Sequence, residues 1–123
     1  MDPRTLIETA AALAVPFQPS DDVQAGGVAA ALVTAAGNVY TGICIDTASS
    51  LGFCAEHAAV AEMLKAREAE VAMIVAVHCD GHVMPPCGRC RELLWQLHPR
   101  NTETAVILGR DRVRPLAELL PER

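Results

Sequence analysis

The chain has few aromatic residues and few basic ones. Its only aromatic side chains are Phe17, Tyr40, Phe53 and Trp95, so the core must be aliphatic and little ring surface can stack on nucleobases. Ten Lys and Arg residues stand against fifteen Asp and Glu residues, which gives a formal net charge of -5 at pH 7. Because nucleic-acid backbones are bound by clustered Lys and Arg, this balance argues against a nucleic-acid partner and favours a small free substrate.

Two kinds of targeting or anchoring segment are also missing from the sequence. It contains no apolar run of membrane-spanning length and no N-terminal signal peptide, so we expect a cytoplasmic protein without a membrane partner. The five cysteines are an odd number, which suits a reducing compartment better than a disulfide framework. The length of 123 residues predicts a single domain over residues 1–123, long enough to bury a core.

Apolar periodicity and turn-forming residues alternate along the chain in a pattern typical of an α/β protein. The pattern predicts helices over residues 3–14, 53–66, 88–97 and 116–120, and strands over residues 28–34, 39–46, 71–77, 104–108 and 112–114. Residues 16–27 and 79–86 are predicted to be loops. This order indicates a mixed sheet of about five strands with helices on its faces, in which strands joined through a helix run parallel.

The most informative residues lie in two short segments, Cys-Ala-Glu-His at residues 54–57 and Pro-Cys-Gly-Arg-Cys at residues 86–90. Thiolates are good ligands of Zn²⁺, and three of them leave the fourth tetrahedral position for water or substrate. Cys87 and Cys90 are three residues apart, so on one helical turn both sulfur atoms face the same way. We therefore predict that Cys54, Cys87 and Cys90 bind Zn²⁺ and that Glu56 lies near the metal-bound water without being a ligand.

Other interpretations of the same cysteines stay open. A lone C-x-x-C is often part of a structural zinc site, which takes four protein ligands, and His57 could supply the fourth. A thioredoxin-like redox pair is disfavoured because nothing else around Cys87 matches that motif. A catalytically idle zinc-binding structural or interaction module is a further alternative. The sequence assigns no ligand role to His78, Cys79 or His82.

The two motifs resemble those of the cytidine deaminase superfamily in its small three-cysteine zinc form. Residues 28–32, 38–42 and 87–94 also look like family segments in the family's order, so the resemblance covers roughly residues 5 to 121. Residues 86–99 and 118–121 look most like blasticidin-S deaminase. The resemblance implies a three-layer α/β/α sandwich, a Zn²⁺ cofactor, a small nucleoside or base as substrate, and commonly a homotetramer.

The resemblance also implies roles for the residues around the metal. Glu56 is expected to take a proton from water and return protons to the ring nitrogen and the departing amine, converting C–NH₂ to C=O with release of ammonia. In the family an arginine usually follows the C-A-E tripeptide, and here that position is His57. We expect two helix N-termini first, and Arg89, Arg91 and His57 second, to offset the thiolate charge. We expect His57 to hydrogen-bond a ligand thiolate, and a core histidine with a local backbone partner is the open alternative.

The positions that recognise the sugar depart from the family pattern. The resemblance places Cys44, Asp46 and Ala55 against the substrate, but family members carry Asn and Glu where Cys44 and Asp46 stand, and an aromatic residue where Gly26 stands. Two substrate classes follow: a cytosine nucleoside such as cytidine or deoxycytidine, or a modified nucleoside or free base, blasticidin S included. In either case the predicted activity is zinc-dependent hydrolytic deamination of an aminated heterocycle.

Overall fold

The computed structural model describes residues 1–122, which form seven β-strands, four α-helices and one 3₁₀ helix. The strands are β1 (Phe17–Ser20), β2 (Val23–Thr34), β3 (Val39–Thr47), β4 (Val71–His78), β5 (Val83–Met84), β6 (Ala105–Gly109) and β7 (Arg112–Pro115). The α-helices are α1 (Pro3–Leu13), α2 (Ala55–Lys65), α3 (Gly88–Leu97) and α4 (Leu116–Leu119), and the 3₁₀ helix is Pro99–Glu103. No helix within residues 1–122 is both long and apolar enough to span a membrane.

All seven strands belong to one mixed sheet. β2 and β3 form the predicted antiparallel hairpin, and β4 pairs with the other edge of β2, also antiparallel. β6 pairs with β4 in parallel, and β7 returns antiparallel beside β6. The five strands predicted from the sequence therefore lie in the order β3-β2-β4-β6-β7, and β4 and β6, which are joined through α3, run parallel as expected.

Two further strands lie in segments that were predicted to be loops, so those loop predictions were wrong. β1 pairs with the beginning of β2, which starts at Val23 rather than at Val28, and β5 pairs with the end of β4. Pro19, which suggested a loop, is tolerated in β1 because β1 pairs only with β2 among residues 1–122, and an edge strand need not use every N–H. The two residues of β5 are too few to show an alternating pattern.

Helices cover both faces of the sheet and produce three layers. On one face, α1 packs Leu6 and its neighbours against the sheet and encloses one hydrophobic core. On the other face, α2, α3 and α4 enclose a second core that includes Met63. Ala30 and Ala31 are successive residues of β2 and belong to opposite cores, as the alternation of side chains in a strand requires. The predicted α/β/α sandwich is therefore confirmed.

α2 packs closely against β3, and this contact positions the start of the helix. Gly42 of β3 faces the helix, and a Cβ atom at this residue would collide with the backbone nitrogen of Ala59 and the side chain of Ala58. The missing side chain lets the helix settle directly on the strand. As a result, the first turn of α2, which carries Glu56 and His57, is fixed against the sheet.

Candidate functional site

A cavity of about 590 Å³ opens at the edge of the sheet where β2 begins and β3 and β4 end. The loop before α2 and the first residues of α2 and α3 complete its wall. Its volume suits a small molecule. The cavity is lined by seven of the nine site residues predicted from the sequence, which are Cys44, Asp46, Cys54, Ala55, Glu56, Cys87 and Arg89.

The three cysteines predicted as zinc ligands lie together beside this cavity. Cys54 and Cys87 are the N-cap residues of α2 and α3, and Cys90 lies in the first turn of α3. The Sγ atom of Cys87 is 3.6 Å from that of Cys54 and 3.5 Å from that of Cys90. The N-termini of two helices therefore face the same three thiols.

The chemistry of this donor set fits a divalent cation. Burial first, and then the nearby Glu56 carboxyl, raise the pKa of the fully buried Cys90 thiol. Burial and a hydrogen bond with Cys87 raise the pKa of Cys54. Burial also opposes ionisation of Cys87, but hydrogen bonds with the backbone N–H and the thiol of Cys90, the thiol of Cys54 and the backbone N–H of Arg89 outweigh it, so the pKa of Cys87 is lowered. Three thiolates at this spacing repel one another unless a cation lies between them, so the cysteines fit Zn²⁺.

His57 lies beside the thiols on the first turn of α2. Its Nδ1 atom is 3.5 Å from Cys90 Sγ, and its ring stacks on Phe53 with centroids 6.4 Å apart. Burial and then the positive charge of Arg89 lower the pKa of His57, which favours the neutral imidazole. One ligand atom each from Cys54, His57 and Cys90 lies within 4.8 Å of the other two. The geometry therefore admits His57 either as a hydrogen-bond partner of Cys90 or as a metal ligand.

Glu56 is a buried carboxyl group on the cavity wall. It is the second residue of α2, and only 6% of it is exposed. Burial raises its pKa, although its own backbone N–H acts in the opposite direction. A carboxyl group with a raised pKa exchanges protons more readily near neutral pH than an ordinary one, which is the property required of a general acid and base.

The predicted substrate contacts on β3 are partly engaged by the protein itself. The Cys44 thiol accepts the backbone N–H of Val28 at 3.2 Å and donates to Asp46 Oδ2 at 3.6 Å. Asp46 is exposed and presents its carboxylate to the cavity. Gly26 has φ +83°, and a Cβ there would lie 2.6 Å from the carbonyl oxygen of Val15, so an aromatic side chain cannot be accommodated without moving the backbone.

The two arginines of α3 differ in what they contact. Arg89 lines the cavity and its charge acts on His57. Arg91 does not line it, because its Nε donates to the carbonyl of Pro86 at 2.9 Å and its Nη1 to that of Leu119 at 3.0 Å. Arg91 therefore ties α4 to the segment that carries Cys87.

His78 and Cys79 also lie on the cavity wall, where the sequence predicted no role for them. They reach it because His78 is paired with Val28 across the β2–β4 ladder, and Cys79 donates its N–H to the carbonyl of Gly27. These contacts join residues about fifty positions apart in the chain. No local pattern could have identified them.

Comparison with known proteins places both motif segments within a family match. The family model described as the cytidine and deoxycytidylate deaminase zinc-binding region matches residues 4–106. A cytidine deaminase from Halalkalibacterium halodurans is 33% identical over 97 residues, which cover 76% of this chain and 74% of the relative. A cytidine deaminase from Mycobacterium tuberculosis is 32% identical over 96 residues, which cover 77% of this chain and 70% of the relative.

Solved structures of similar proteins share the fold along nearly the whole chain. The crystal structure of a cytidine deaminase from Mycobacterium tuberculosis superposes with a TM-score of 0.82 at 30% identity, covering 99% of this chain and 96% of the other. That of a cytidine deaminase from Burkholderia pseudomallei superposes with a TM-score of 0.78 at 32% identity, covering 99% and 98%. The similarity thus includes the sheet and the helices that carry the cysteines.

Proposed function

This chain belongs to the cytidine and deoxycytidylate deaminase family, and we propose that its substrate is a cytosine nucleoside from which it releases ammonia. It is a zinc-dependent hydrolytic deaminase, as the sequence predicted. One observation carries the proposed site: the buried carboxyl group of Glu56 opens onto the same cavity as the thiols of Cys54 and Cys87. Among residues 1–122, no other acidic side chain is both buried and on that wall.

We assign Cys54, Cys87 and Cys90 as the Zn²⁺ ligands and His57 as the hydrogen-bond partner of Cys90. Three protein ligands leave one position open, which a closed structural site lacks. When bound, Zn²⁺ supplies a Lewis acid that makes a water molecule more acidic. The N-termini of α2 and α3, together with Arg89, place positive potential against the thiolates.

Glu56 would carry every proton that moves during the reaction. Its carboxylate takes one proton from water as the water oxygen attacks the carbon that bears the amino group, and it passes this proton to the ring nitrogen. It then carries the second proton from the added hydroxyl group to the amine. The C–N bond breaks, ammonia leaves, and a carbonyl group remains. The pKa of Glu56, which burial raises, supports both the uptake and the release of protons.

Two residues near the end of β3, Asp46 and Cys44, affect which substrate is accepted. The exposed carboxylate of Asp46 can accept a hydrogen bond from a sugar hydroxyl, which supports cytidine or deoxycytidine. A second candidate, a modified nucleoside or free base with blasticidin S included, is favoured by Cys44. The Cys44 thiol already accepts a hydrogen bond from Val28 and donates one to Asp46, so it has little remaining capacity to hydrogen-bond a sugar.

Ammonia release by the zinc-loaded protein tests the proposal on cytidine, deoxycytidine, cytosine and blasticidin S. Glu56→Gln should lower turnover by at least about a hundredfold with zinc content unchanged, because the proton carrier is lost. Glu62→Gln, which changes an exposed carboxylate on the same helix, is the matched control and should behave as wild type. Near wild-type turnover in Glu56→Gln with zinc retained would refute the assignment. Zinc bound without turnover of any of the four compounds would instead favour the idle zinc-binding module.

We further propose that the active form is a cytoplasmic homotetramer of single-domain chains. Leu51 is 83% exposed and Phe53 is 39% exposed, and both directly precede the ligand segment. Adjacent exposed apolar side chains often mark interfaces, and a neighbouring chain that covered Leu51 and Phe53 would also border the cavity.

All five cysteines are free thiols, and three are assigned to zinc, which supports a reducing compartment. The net charge of -5 supports a small-molecule substrate rather than a nucleic acid.

A further inference from the structure

The turn between β4 and β5 brings together a second set of metal-binding side chains, His78, Asp80 and His82. One ligand atom from each lies within 4.8 Å of the other two. The turn is closed by hydrogen bonds from His78 N to the His82 carbonyl and from Gly81 N to the His78 carbonyl. Gly81, at φ +95°, permits the reversal of the chain. The three side chains are therefore held on one short turn of defined geometry.

The Asp80 carboxylate lies at the centre of this cluster. Its Oδ1 accepts the backbone N–H of His82 at 3.0 Å, lies 2.5 Å from His82 Nδ1, and lies 3.1 Å from His78 Nδ1. The His82 backbone N–H and then the His82 side chain hold the pKa of Asp80 at about 2. The carboxylate is therefore ionised at neutral pH.

His78 Nδ1 lies close to both the backbone and the side chain of Asp80. His78 Nδ1 accepts the backbone N–H of Asp80 at 3.1 Å, so this nitrogen carries a lone pair. The same atom lies 3.1 Å from Asp80 Oδ1, so the imidazole and the carboxylate direct their ligand atoms toward the same space. The imidazole rings of His78 and His82 stack with centroids 5.0 Å apart, and both lie beside the Asp80 carboxylate. A divalent cation would satisfy all three side chains together.

We propose that this turn is a second, weaker Zn²⁺ site, bound by His78, Asp80 and His82 and separate from the cysteine centre. Imidazole nitrogen and carboxylate oxygen are both suitable ligands for zinc. Binding is weaker than at the thiols because the side chains of Asp80 and His82 are 58% and 57% exposed.

An ion at this turn would act at the rim of the active-site cavity. His78 and Cys79 line the cavity, and β5 leads through Pro85 and Pro86 to Cys87. The second ion would place positive charge beside the cavity entrance and would stiffen the chain that precedes α3. Arg110, whose Nη2 donates to the Gly81 carbonyl at 2.8 Å, already fixes the outer side of the turn.

Calorimetric titration with Zn²⁺ of the holoenzyme, dialysed so that each chain keeps its tightly bound zinc, tests this site. We expect one further equivalent per chain in the wild type. His82→Ala should lose that equivalent, and Asp80→Asn should bind it more than about tenfold more weakly. His98→Ala is the matched control, because His98 is a histidine that contacts Glu70, outside the turn, and this variant should bind as wild type does.

Absence of a second equivalent in the wild type at saturating zinc would overturn the proposal, as would wild-type binding by His82→Ala. An unchanged unfolding temperature and unchanged deaminase activity in His82→Ala would show that the loss is confined to this site. The outcome is independent of the proposed substrate. The cysteine centre is loaded in every variant, and zinc uptake is measured apart from turnover.

Discussion

Residues at the starts of α2 and α3 differ in their acid–base properties. Burial makes the Glu56 carboxyl a stronger proton acceptor, whereas the N–H groups at the start of α3 make Cys87 the more acidic thiol. Cys90 is fully buried, and burial together with the nearby Glu56 carboxyl opposes its ionisation. Its neighbour His57 is the residue at which this chain departs from the arginine usual in the family.

Replacing His57 by alanine is expected to weaken zinc binding by about ten- to a hundredfold, because the Cys90 thiolate loses its partner at 3.5 Å. Competition with a chelator of known zinc affinity measures the change. His57→Arg should recover most of the loss by restoring a hydrogen-bond donor beside Cys90, and His98→Ala should have no effect. Unchanged zinc affinity and unchanged turnover in His57→Ala would show that this histidine only packs against Phe53.

Between elements, one carboxylate ties β3 to the end of α2. Glu68 follows the helix, and its Oε2 accepts the Tyr40 hydroxyl at 2.5 Å and the Asn38 side-chain amide at 2.9 Å. The Tyr40 hydrogen bond is the main reason why the pKa of Glu68 is lowered, and the same bond raises the pKa of Tyr40. This tie helps to hold α2, and hence Glu56, at a fixed position on the sheet.

Tyr40→Phe is expected to lower the unfolding temperature in a pH-dependent manner. A lowered carboxyl pKa contributes stability above the ordinary value of 4.5, and that stability is lost as the pH falls through the folded-state pKa. A raised tyrosine pKa contributes below the ordinary value of 10.0, and that stability is lost as the pH rises through the folded-state pKa. The difference from wild type should therefore be largest between these values, as measured by thermal unfolding across pH.

Thr9→Val is the control for this experiment. It removes an exposed hydroxyl that donates to the Thr5 carbonyl and contacts no carboxylate, so its effect should not vary with pH. A constant difference between Tyr40→Phe and wild type across the same range would contradict the role given to Glu68.

Considered as a whole, the molecule leaves apolar surface uncovered near its site. Val15 is 66% exposed and Phe17 is 56% exposed, in addition to Leu51 and Phe53 in the loop before α2. A chain with so few aromatic residues places two of its four at the surface. This arrangement is expected if other copies of the chain cover them.

Light scattering should therefore give a mass near four times the chain mass of 13.1 kDa. Leu51→Asp should shift the protein to smaller species and reduce turnover at low concentration, because a charge in an apolar interface costs binding energy. Glu62→Asp, a conservative change at an exposed helix position, should leave the mass unchanged. A monomeric wild type would contradict the proposed tetramer.

Much of the fold follows from local pattern. The bounds predicted for α3 match the structure, since Pro86 precedes the helix and Pro99 follows it. β2, β3, β4 and β6 were predicted because each carries its own apolar run, whereas β7 was predicted from its place after the turn at Gly109. β1 and β5 were missed because each is a short edge piece that pairs with the neighbouring strand of the chain across a brief turn.

Residue types and their spacing already specify the zinc chemistry. Cysteines three residues apart at a helix start, and a carboxylate two residues after another cysteine, have geometries that the helix period sets locally. The tertiary structure decides which distant segments meet. It brings Cys54 to Cys87, Cys44 to Val28, and the turn between β4 and β5 to the cavity. The reason is physical, because such contacts depend on strand register, and register is set by burying whole faces of the sheet rather than by any short stretch of sequence.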